Sequence, residues 1–208
     1  GGADLKGLRF AVPLTSDAVP CDAGVWRNFE GHVANLRQQG AVQVDLRLEN
    51  PDPTGARLAG LLISEAEAGH ALEAELLSRP GDFSDDFRKM LNYGRNAAAH
   101  RLVAAQRQLQ AAGHGVRKLF DQVDLLLLPT AAQAAFPLAQ PAPVNQADFT
   151  QWANHAGCPA LSLPSGLSPD GMPLGLQLIG RPLADGQLLA QAEAIAALLP
   201  RLPAPDLH

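Results

Sequence analysis

The sequence has few charged residues and few cysteines, and each shortage excludes a class of protein. Charged residues make up 18% of the 208 residues and hydrophobic residues 47%, a composition that excludes an intrinsically disordered chain. Acidic residues outnumber basic ones by 21 to 16, so the basic footprint of a nucleic-acid-binding module is missing and no nucleic-acid partner is predicted. Two cysteines cannot form a disulfide framework, which predicts a reducing compartment, the cytoplasm.

Long uninterrupted hydrophobic runs are missing as well. The longest uncharged stretch, residues 125–147, contains four prolines and several amide side chains, so it is not predicted to cross a membrane and no membrane partner is expected. The first residues show neither a basic segment followed by an apolar one nor an initiating methionine. We therefore expect no targeting signal and a chain that is part of a longer protein.

Strand and helix patterns alternate along the chain. Residues 8–12 form a short apolar run closed by Pro13, and helical spacing follows from Val25 to a stop at Gly40, with Asp22 as the expected N-cap. Residues 41–48 then alternate apolar and polar side chains, as a half-buried strand does. Strand, helix and strand with short connections predict a right-handed parallel unit.

The remaining patterns predict one layered α/β unit over residues 1–208. Ser84 is the expected cap of a segment that begins with two acids, and Asp185 the expected cap of the last helix. Residues 200–208 are predicted to be a proline-rich tail. Further helices are expected at 56–77, 97–120, 149–155 and 187–199, strands at 123–128, 160–163 and 174–179, a turn at 165–173 and a long loop at 131–147.

No self-contained metal or nucleophile site is visible in the sequence. None of the six histidines lies in a His-Glu-x-x-His motif, and neither cysteine has zinc-site spacing. His155 and Cys158 are three residues apart, yet Pro159 follows at once, so we interpret them as a satisfied histidine and a buried thiol. No metal and no cofactor is predicted.

The serines and the paired carboxylates also lack the context of a catalytic site. No serine lies in a Gly-x-Ser-x-Gly elbow, and Ser165, which precedes Gly166, is interpreted as a turn residue. Asp85 and Asp86 suit the start of a helix. Glu65 and Glu67 are two apart on a helix and are expected to point in different directions.

Three motifs in the last third of the chain carry a family resemblance. A strand ends in Asp124-Leu-Leu-Leu-Leu-Pro-Thr130, a helix carries Asn154-His-Ala-Gly-Cys-Pro-Ala160, and a hairpin carries Gly171-Met-Pro-Leu-Gly-Leu-Gln177-Leu-Ile-Gly180. In this order and spacing they resemble the C-terminal half of the amidase signature family, and the segment from Asp4 to Pro13 resembles the part that follows the catalytic core of that family. The resemblance implies part of an α/β/α sandwich with a mixed β-sheet.

The resemblance also implies what the chain does not contain. Enzymes of this family hydrolyse amides with a Ser–cis-Ser–Lys triad and hold the oxyanion with backbone N–H groups of a Gly/Ser-rich loop. The chain has three lysines, Lys6, Lys89 and Lys118, and no Gly-Ser-Ser or Ser-Gly-Gly stretch. The triad is therefore expected outside this chain, and no catalytic residue is assigned.

The resemblance does suggest residues that support a substrate pocket. By similarity, Thr130, Phe136, Thr150 and Asn154 are candidate walls of the acyl pocket, with a purely structural role as the alternative for each. Gln177 is expected to hydrogen-bond backbone in the hairpin. The uncharged loop at 131–147 indicates a neutral or apolar substrate.

These observations predict a C-terminal fragment of an amidase, which hydrolyses carboxamide C–N bonds in small molecules or works in a related carbon–nitrogen ligase. Two alternatives remain open: a binding or regulatory module on an amidase scaffold, and one half of a split amidase. Because a fragment of a sandwich leaves apolar surface uncovered, self-association is expected.

Overall fold

A mixed five-stranded β-sheet organises the computed structural model, which describes residues 5–204. Within these residues the strands lie in the order β2-β1-β3-β5-β4. The strands are β1 (Arg9–Ala11), β2 (Val42–Gln43), β3 (Leu125–Pro129), β4 (Ala160–Leu167) and β5 (Pro173–Ile179). The helices are α1 (Ala23–Gln38), α2 (Pro53–Ala71), α3 (Glu73–Ser78), α4 (Asp85–Arg95), α5 (Ala99–Leu119), α6 (Gln151–Ala156) and α7 (Asp185–Ala196), with a 3₁₀ turn at Pro80–Asp82.

The sheet is parallel on one side and antiparallel on the other. β1 pairs in parallel with β2 and with β3, whereas β5 pairs antiparallel with both β3 and β4. The predicted parallel strand–helix–strand unit and the predicted mixed sheet are therefore confirmed.

Helices cover both faces of the sheet, which gives the predicted three layers. On one face, α1 and α7 pack through residues such as Phe29 and Ile195 on buried leucines of β3 and β5. On the other face, α5 and α6 pack through Val116 and Trp152 on Leu126 and its neighbours. All five residues of β3 are buried, since this strand lies in the centre of the sheet between two helical layers.

The second strand is much shorter than its alternating pattern predicts. Residues 41–48 were expected to be extended throughout, but only Val42–Gln43 pair as a strand. β1 ends at Ala11, two residues before Pro13, and a proline has no N–H to continue a ladder. Beyond this pairing the Val44 N–H donates to the carbonyl of Phe10 and the Leu48 N–H to the carbonyl of Pro13, but residues 44–48 form no strand.

The hairpin of β4 and β5 confirms that these two segments are adjacent strands, although both are longer than predicted. The predicted turn at 165–173 shrinks to 168–172, where the Met172 N–H donates to the Ser168 hydroxyl. Ser165 lies in an irregularity between Pro164 and Gly166, and Gly166 has a φ of 147°. Ser165 is thus a strand residue at a bulge and not a turn residue.

Several helix ends also differ from the prediction. The helix expected over 56–77 begins earlier, at Pro53, and is divided into α2 and α3 at Leu72. Ser84 caps α4 as predicted, because its hydroxyl accepts the Phe87 N–H. Asp22 occupies the N-cap position of α1 without a side-chain cap, and Asp185 lies inside the first turn of α7, whose N-cap is Ala184. Residues 200–204 lack regular secondary structure, and the end of the predicted tail, 205–208, lies outside the described residues.

Candidate functional site

A groove opens where β3 ends, beside the hairpin of β4 and β5. We call it the Thr130 groove. Its volume is about 450 Å³, within the range of small-molecule sites. Its described lining residues carry no charge: they are Val25, Thr130, Ala131, Gln133, Ala134, Ala135, Phe136, Gln146, Ser162, Leu163, Pro164, Pro173, Leu174 and Gly175.

Hydrogen bonds fix the floor of the Thr130 groove. The Thr130 N–H donates to the Gly175 carbonyl at 2.9 Å, and the hydroxyl oxygens of Thr130 and Ser162 lie 2.6 Å apart. A Cβ atom at Gly175 would lie 2.5 Å from the Thr130 hydroxyl oxygen and 2.7 Å from that of Ser162. Only glycine therefore lets the two hydroxyl groups meet across β5.

The loop after Thr130 is held against the rest of the chain at several points. The Asp22 N–H donates to the Ala132 carbonyl at 2.8 Å. The Gln133 amide donates to the Asn145 side chain, which donates in turn to the carbonyl of Pro20. This network anchors the loop that places Phe136 at the groove.

One side of β4 is open next to the Thr130 groove. Within the described residues β4 has a neighbouring strand on one edge only, β5. Ala160, Ser162 and Pro164, which alternate along one face of β4, are exposed. The groove is thus continuous with a strand edge and a sheet face that residues 5–204 leave uncovered.

Two of the four candidate wall residues lie at the groove and two do not. Thr130 and Phe136 line it. Thr150 stands at the start of α6, 3.5 Å from the Ala147 carbonyl, and Asn154 is exposed on α6; neither lines the groove.

Gln177 bonds backbone outside the hairpin, contrary to the prediction. Its amide nitrogen donates to the Phe149 carbonyl at 3.1 Å. The side chain is buried on β5 and joins the sheet to the segment that leads into α6. A buried amide needs a hydrogen-bond partner, and Gln177 finds it across the layer in the Phe149 carbonyl.

Ser165, Lys89 and Lys118 do not form a serine–lysine pair with one another. Ser165 is 1% exposed, and its hydroxyl accepts a hydrogen bond from the Asn28 amide at 2.9 Å. Lys89 forms an ion pair with Asp86, and Lys118 lines a cavity that has no serine among its described lining residues.

The cysteines and His155 lack the features of a nucleophile and its base. Burial raises the pKa of Cys158 and, together with Asp22, raises that of Cys21 to about 11, so both thiols are protonated at neutral pH. Burial lowers the pKa of His155, whose Nε2 atom lies 3.2 Å from the Gln151 side-chain oxygen. Between residues 5 and 204, no three metal-binding side chains converge on a common point.

His155 should make stability depend on pH. Its folded-state pKa is lowered, so below about pH 6.5 the unfolded chain takes up a proton that the folded chain resists. The stabilisation by neutral His155 is fully present above the pKa of the unfolded state. It is lost as the pH falls through the pKa of the folded state. We expect His155→Gln to flatten the decline in unfolding free energy as the pH falls below about 6.5, measured by urea denaturation. His70→Gln, at an exposed position, should leave the slope unchanged, and an equal slope in both variants would contradict this assignment.

None of the helices described between residues 5 and 204 has both the length and the apolar character needed to cross a membrane. The three layers define a layered α/β protein, and an uncharged cleft of small-molecule size lies at the end of its central strand.

Comparison with known proteins gives the family. The Amidase family model matches residues 2–189, and the chain belongs to the amidase signature family. One glutamyl-tRNA(Gln) amidotransferase subunit, from Beijerinckia indica subsp. indica, is 28% identical over 237 residues, which covers 99% of this chain and 47% of that protein. The corresponding subunit from Chloroflexus aggregans is 32% identical over 219 residues, covering 92% and 44%. The chain thus spans less than half the length of these relatives.

Solved structures agree with this assignment. A crystal structure of an amidase has a TM-score of 0.82 and 25% identity, and the match covers 96% of this chain and 47% of the other. The crystal structure of a glutamyl-tRNA(Gln) amidotransferase subunit from Thermotoga maritima has a TM-score of 0.73 and 26% identity, with 92% and 42% covered. The amidase-like α/β sandwich predicted from the three motifs is therefore confirmed.

Sequence reasoning missed two residues that shape the Thr130 groove. The sequence patterns place Ser162 in a strand and assign it to no site, and they give Gly175 only as part of a motif. The alternation of β4 places Ser162 on the same face as Ala160, but its contact with Thr130 depends on strand order. No local signal in the sequence gives that order.

Proposed function

We propose that this chain is the C-terminal half of an enzyme that hydrolyses carboxamide C–N bonds in small molecules, with the Thr130 groove as one wall of the acyl pocket. The observation that carries the proposal is the position of this neutral groove, which opens directly onto the uncovered edge and face of β4. A second polypeptide segment packed there would place its own side chains beside Thr130 and Phe136.

In this proposal the chain's own residues bind and orient the substrate. The apolar loop side chains contact the acyl group, and the paired hydroxyls of Thr130 and Ser162 offer a hydrogen-bonding floor. The nucleophile, its base and the oxyanion donors come from the segment that covers β4. A neutral lining favours uncharged amides, because a buried substrate charge would lack a counter-charge.

The test is an assay of the protein extended upstream in the same reading frame, against a panel of small amides. We expect hydrolysis, and we expect Gly175→Ala to lower kcat/KM at least about tenfold, roughly 1.4 kcal/mol, since the added methyl group meets Thr130 and Ser162. Val144→Ala changes an 80% exposed residue of the same loop and should have no effect. An active enzyme indifferent to Gly175→Ala would remove the groove from the acyl pocket.

Two other arrangements lead to different results in the same experiment. In a split amidase the upstream reading frame lacks the catalytic segment, and activity appears only when a separate partner chain is added. In a binding or regulatory module neither addition gives turnover. The unpaired state of Cys21 and Cys158 supports a proposed location in the cytoplasm.

We also propose that the chain self-associates through β4 when nothing else covers it. An unpaired strand edge beside an exposed face is a template for another strand. Sedimentation velocity at several concentrations should show a mass above that of a monomer. Ala160→Lys should restore the monomer, whereas Ala190→Lys, at an exposed position on α7, should not. A monomer of the unmodified chain at high concentration would contradict this proposal.

A further inference from the structure

A carboxylate without a partner lies in a second groove, between α2 and α5. Glu65 of α2 is 8% exposed, and it forms no hydrogen bond or ion pair with any described residue. Acidic side chains are seldom buried unless they are paired. Burial raises the pKa of Glu65, as expected for a carboxylate that has lost part of its hydration without gaining a counter-charge.

The groove that Glu65 lines is apolar along most of its length. We call it the Glu65 groove. Its volume is about 480 Å³, and it shares no lining residue with the Thr130 groove. Leu58 and Leu61 form part of its wall although they are 53% and 42% exposed, with Leu62 buried beside them. An apolar surface therefore leads directly to an unpaired negative charge.

Helix α4 holds one end of the Glu65 groove rigid. A Cβ atom at Gly94 would lie 2.2 Å from the carbonyl carbon of Glu65, so α4 and α2 touch backbone to backbone at this residue. The adjacent Tyr93 lines the groove. This contact fixes the position from which the Glu65 side chain extends.

Arg101 also lines the Glu65 groove, and its described contacts are with Tyr93. Arg101 donates from Nη2 to the Tyr93 hydroxyl at 2.7 Å, and its guanidinium lies 5.4 Å from the centroid of the Tyr93 ring. No hydrogen bond or ion pair joins Arg101 to Glu65. The carboxylate is an acceptor that remains available to a ligand.

We propose that the Glu65 groove binds a primary ammonium group carried on an apolar stem. Glu65 accepts hydrogen bonds from the ammonium, and the stem packs on Leu58, Leu61 and Leu62. Charge complementarity selects a cation, and the leucines select a hydrocarbon chain over a fully hydrated ion. The volume suits a small free amine, and the inference does not depend on the proposed function of the Thr130 groove.

The test is an NMR titration of the ¹⁵N-labelled 208-residue chain with n-hexylammonium. We expect saturable shifts of the backbone amides at Leu62, Glu65 and Tyr93. Hexanoate has the same stem with the opposite charge and should not bind, and 1-hexanol should bind at least about tenfold more weakly. Glu65→Gln should weaken hexylammonium binding by about tenfold or more, about 1.4 kcal/mol, whereas Glu67→Gln, an exposed residue on the same helix, should not change it.

Several outcomes would overturn the proposal. Equal affinity for hexylammonium and hexanol, or unchanged affinity in Glu65→Gln, would show that the carboxylate is not the ligand. A tenfold or greater gain of affinity in Arg101→Gln would show that Arg101 already occupies it. Binding of a lysine peptide without binding of the free amine would assign the groove to a polypeptide. The spectrum shows directly whether Glu65→Gln is folded, and Glu65→Asp, which retracts the carboxylate, serves as a second variant and should also weaken binding.

Discussion

The purified 208-residue chain should show no hydrolysis of a panel of simple amides above the rate in buffer. Amide hydrolysis by an enzyme of this kind needs a nucleophile with a base beside it, and enzymes as a whole accelerate their reactions by about 10⁶-fold or more. Ser165 is buried and bonded to Asn28, and the hydroxyl of Ser162 faces that of Thr130. Neither of these hydroxyl groups has a described base as its hydrogen-bond partner, since His32 Nε2 lies 2.6 Å from the backbone carbonyl oxygen of Ser165 and not from its hydroxyl.

Two variants make this expectation specific. Ser162→Ala and Ser165→Ala should behave like the unmodified chain in the same assay. Turnover that disappears in Ser165→Ala would identify this serine as a nucleophile and would contradict its structural role at the bulge of β4. Turnover that survives both changes would reveal a site elsewhere in the chain.

Removing Arg57 should destabilise the fold by about 3 kcal/mol, because it breaks a buried ion pair. Arg57 Nε donates to Asp148 at 2.8 Å, and the two side chains are 20% and 3% exposed. The carbonyl of Asp148 also accepts the indole N–H of Trp152 at 2.8 Å. Without Arg57 the Asp148 carboxylate is left buried and unpaired between α2 and α6.

Urea denaturation of Arg57→Met measures this loss. The double variant Arg57→Met with Asp148→Asn should recover part of it, since the amide is neutral. Arg47→Met, which breaks an ion pair with side chains 61% and 92% exposed, should change stability by less than about 0.5 kcal/mol. A loss below about 1 kcal/mol in Arg57→Met would mean that water reaches Asp148 in solution.

Sequence patterns within a single segment correctly predicted the central strand and the hairpin. The leucine run before Pro129 identified the central strand, and the leucines at alternate positions on either side of Gly171 identified the hairpin. The same reasoning overextended the strand after Ala41, because its length depends on a partner that stops before Pro13. The partner of Val42 is Arg9, 33 positions earlier, and the alternation of residues 41–48 does not indicate where the partner strand ends.

The geometry of the candidate site depends still more on contacts between residues that are far apart in the sequence. Thr130 and Phe136 were found through the resemblance, but the meeting of Thr130 with Ser162 follows from the order β3-β5-β4. The expectation that Glu65 and Glu67 point in different directions is confirmed, since one is buried and the other exposed. The buried residue, Glu65, lacks a partner because of the way α4 and α5 pack beside it. The helical pattern of the sequence does not predict this packing.

The position of β1 in the sheet has a consequence for how the chain is made. Arg9 binds Asp124 at the start of β3, and 115 positions separate the two residues. At the usual pace of synthesis, roughly 5–20 residues per second, the first strand waits on the order of ten seconds for its central neighbour. Contacts of such long sequence separation form slowly after release as well. During that interval the apolar side chains around Phe10 are exposed, so production in cells should improve with chaperones that shield nascent chains.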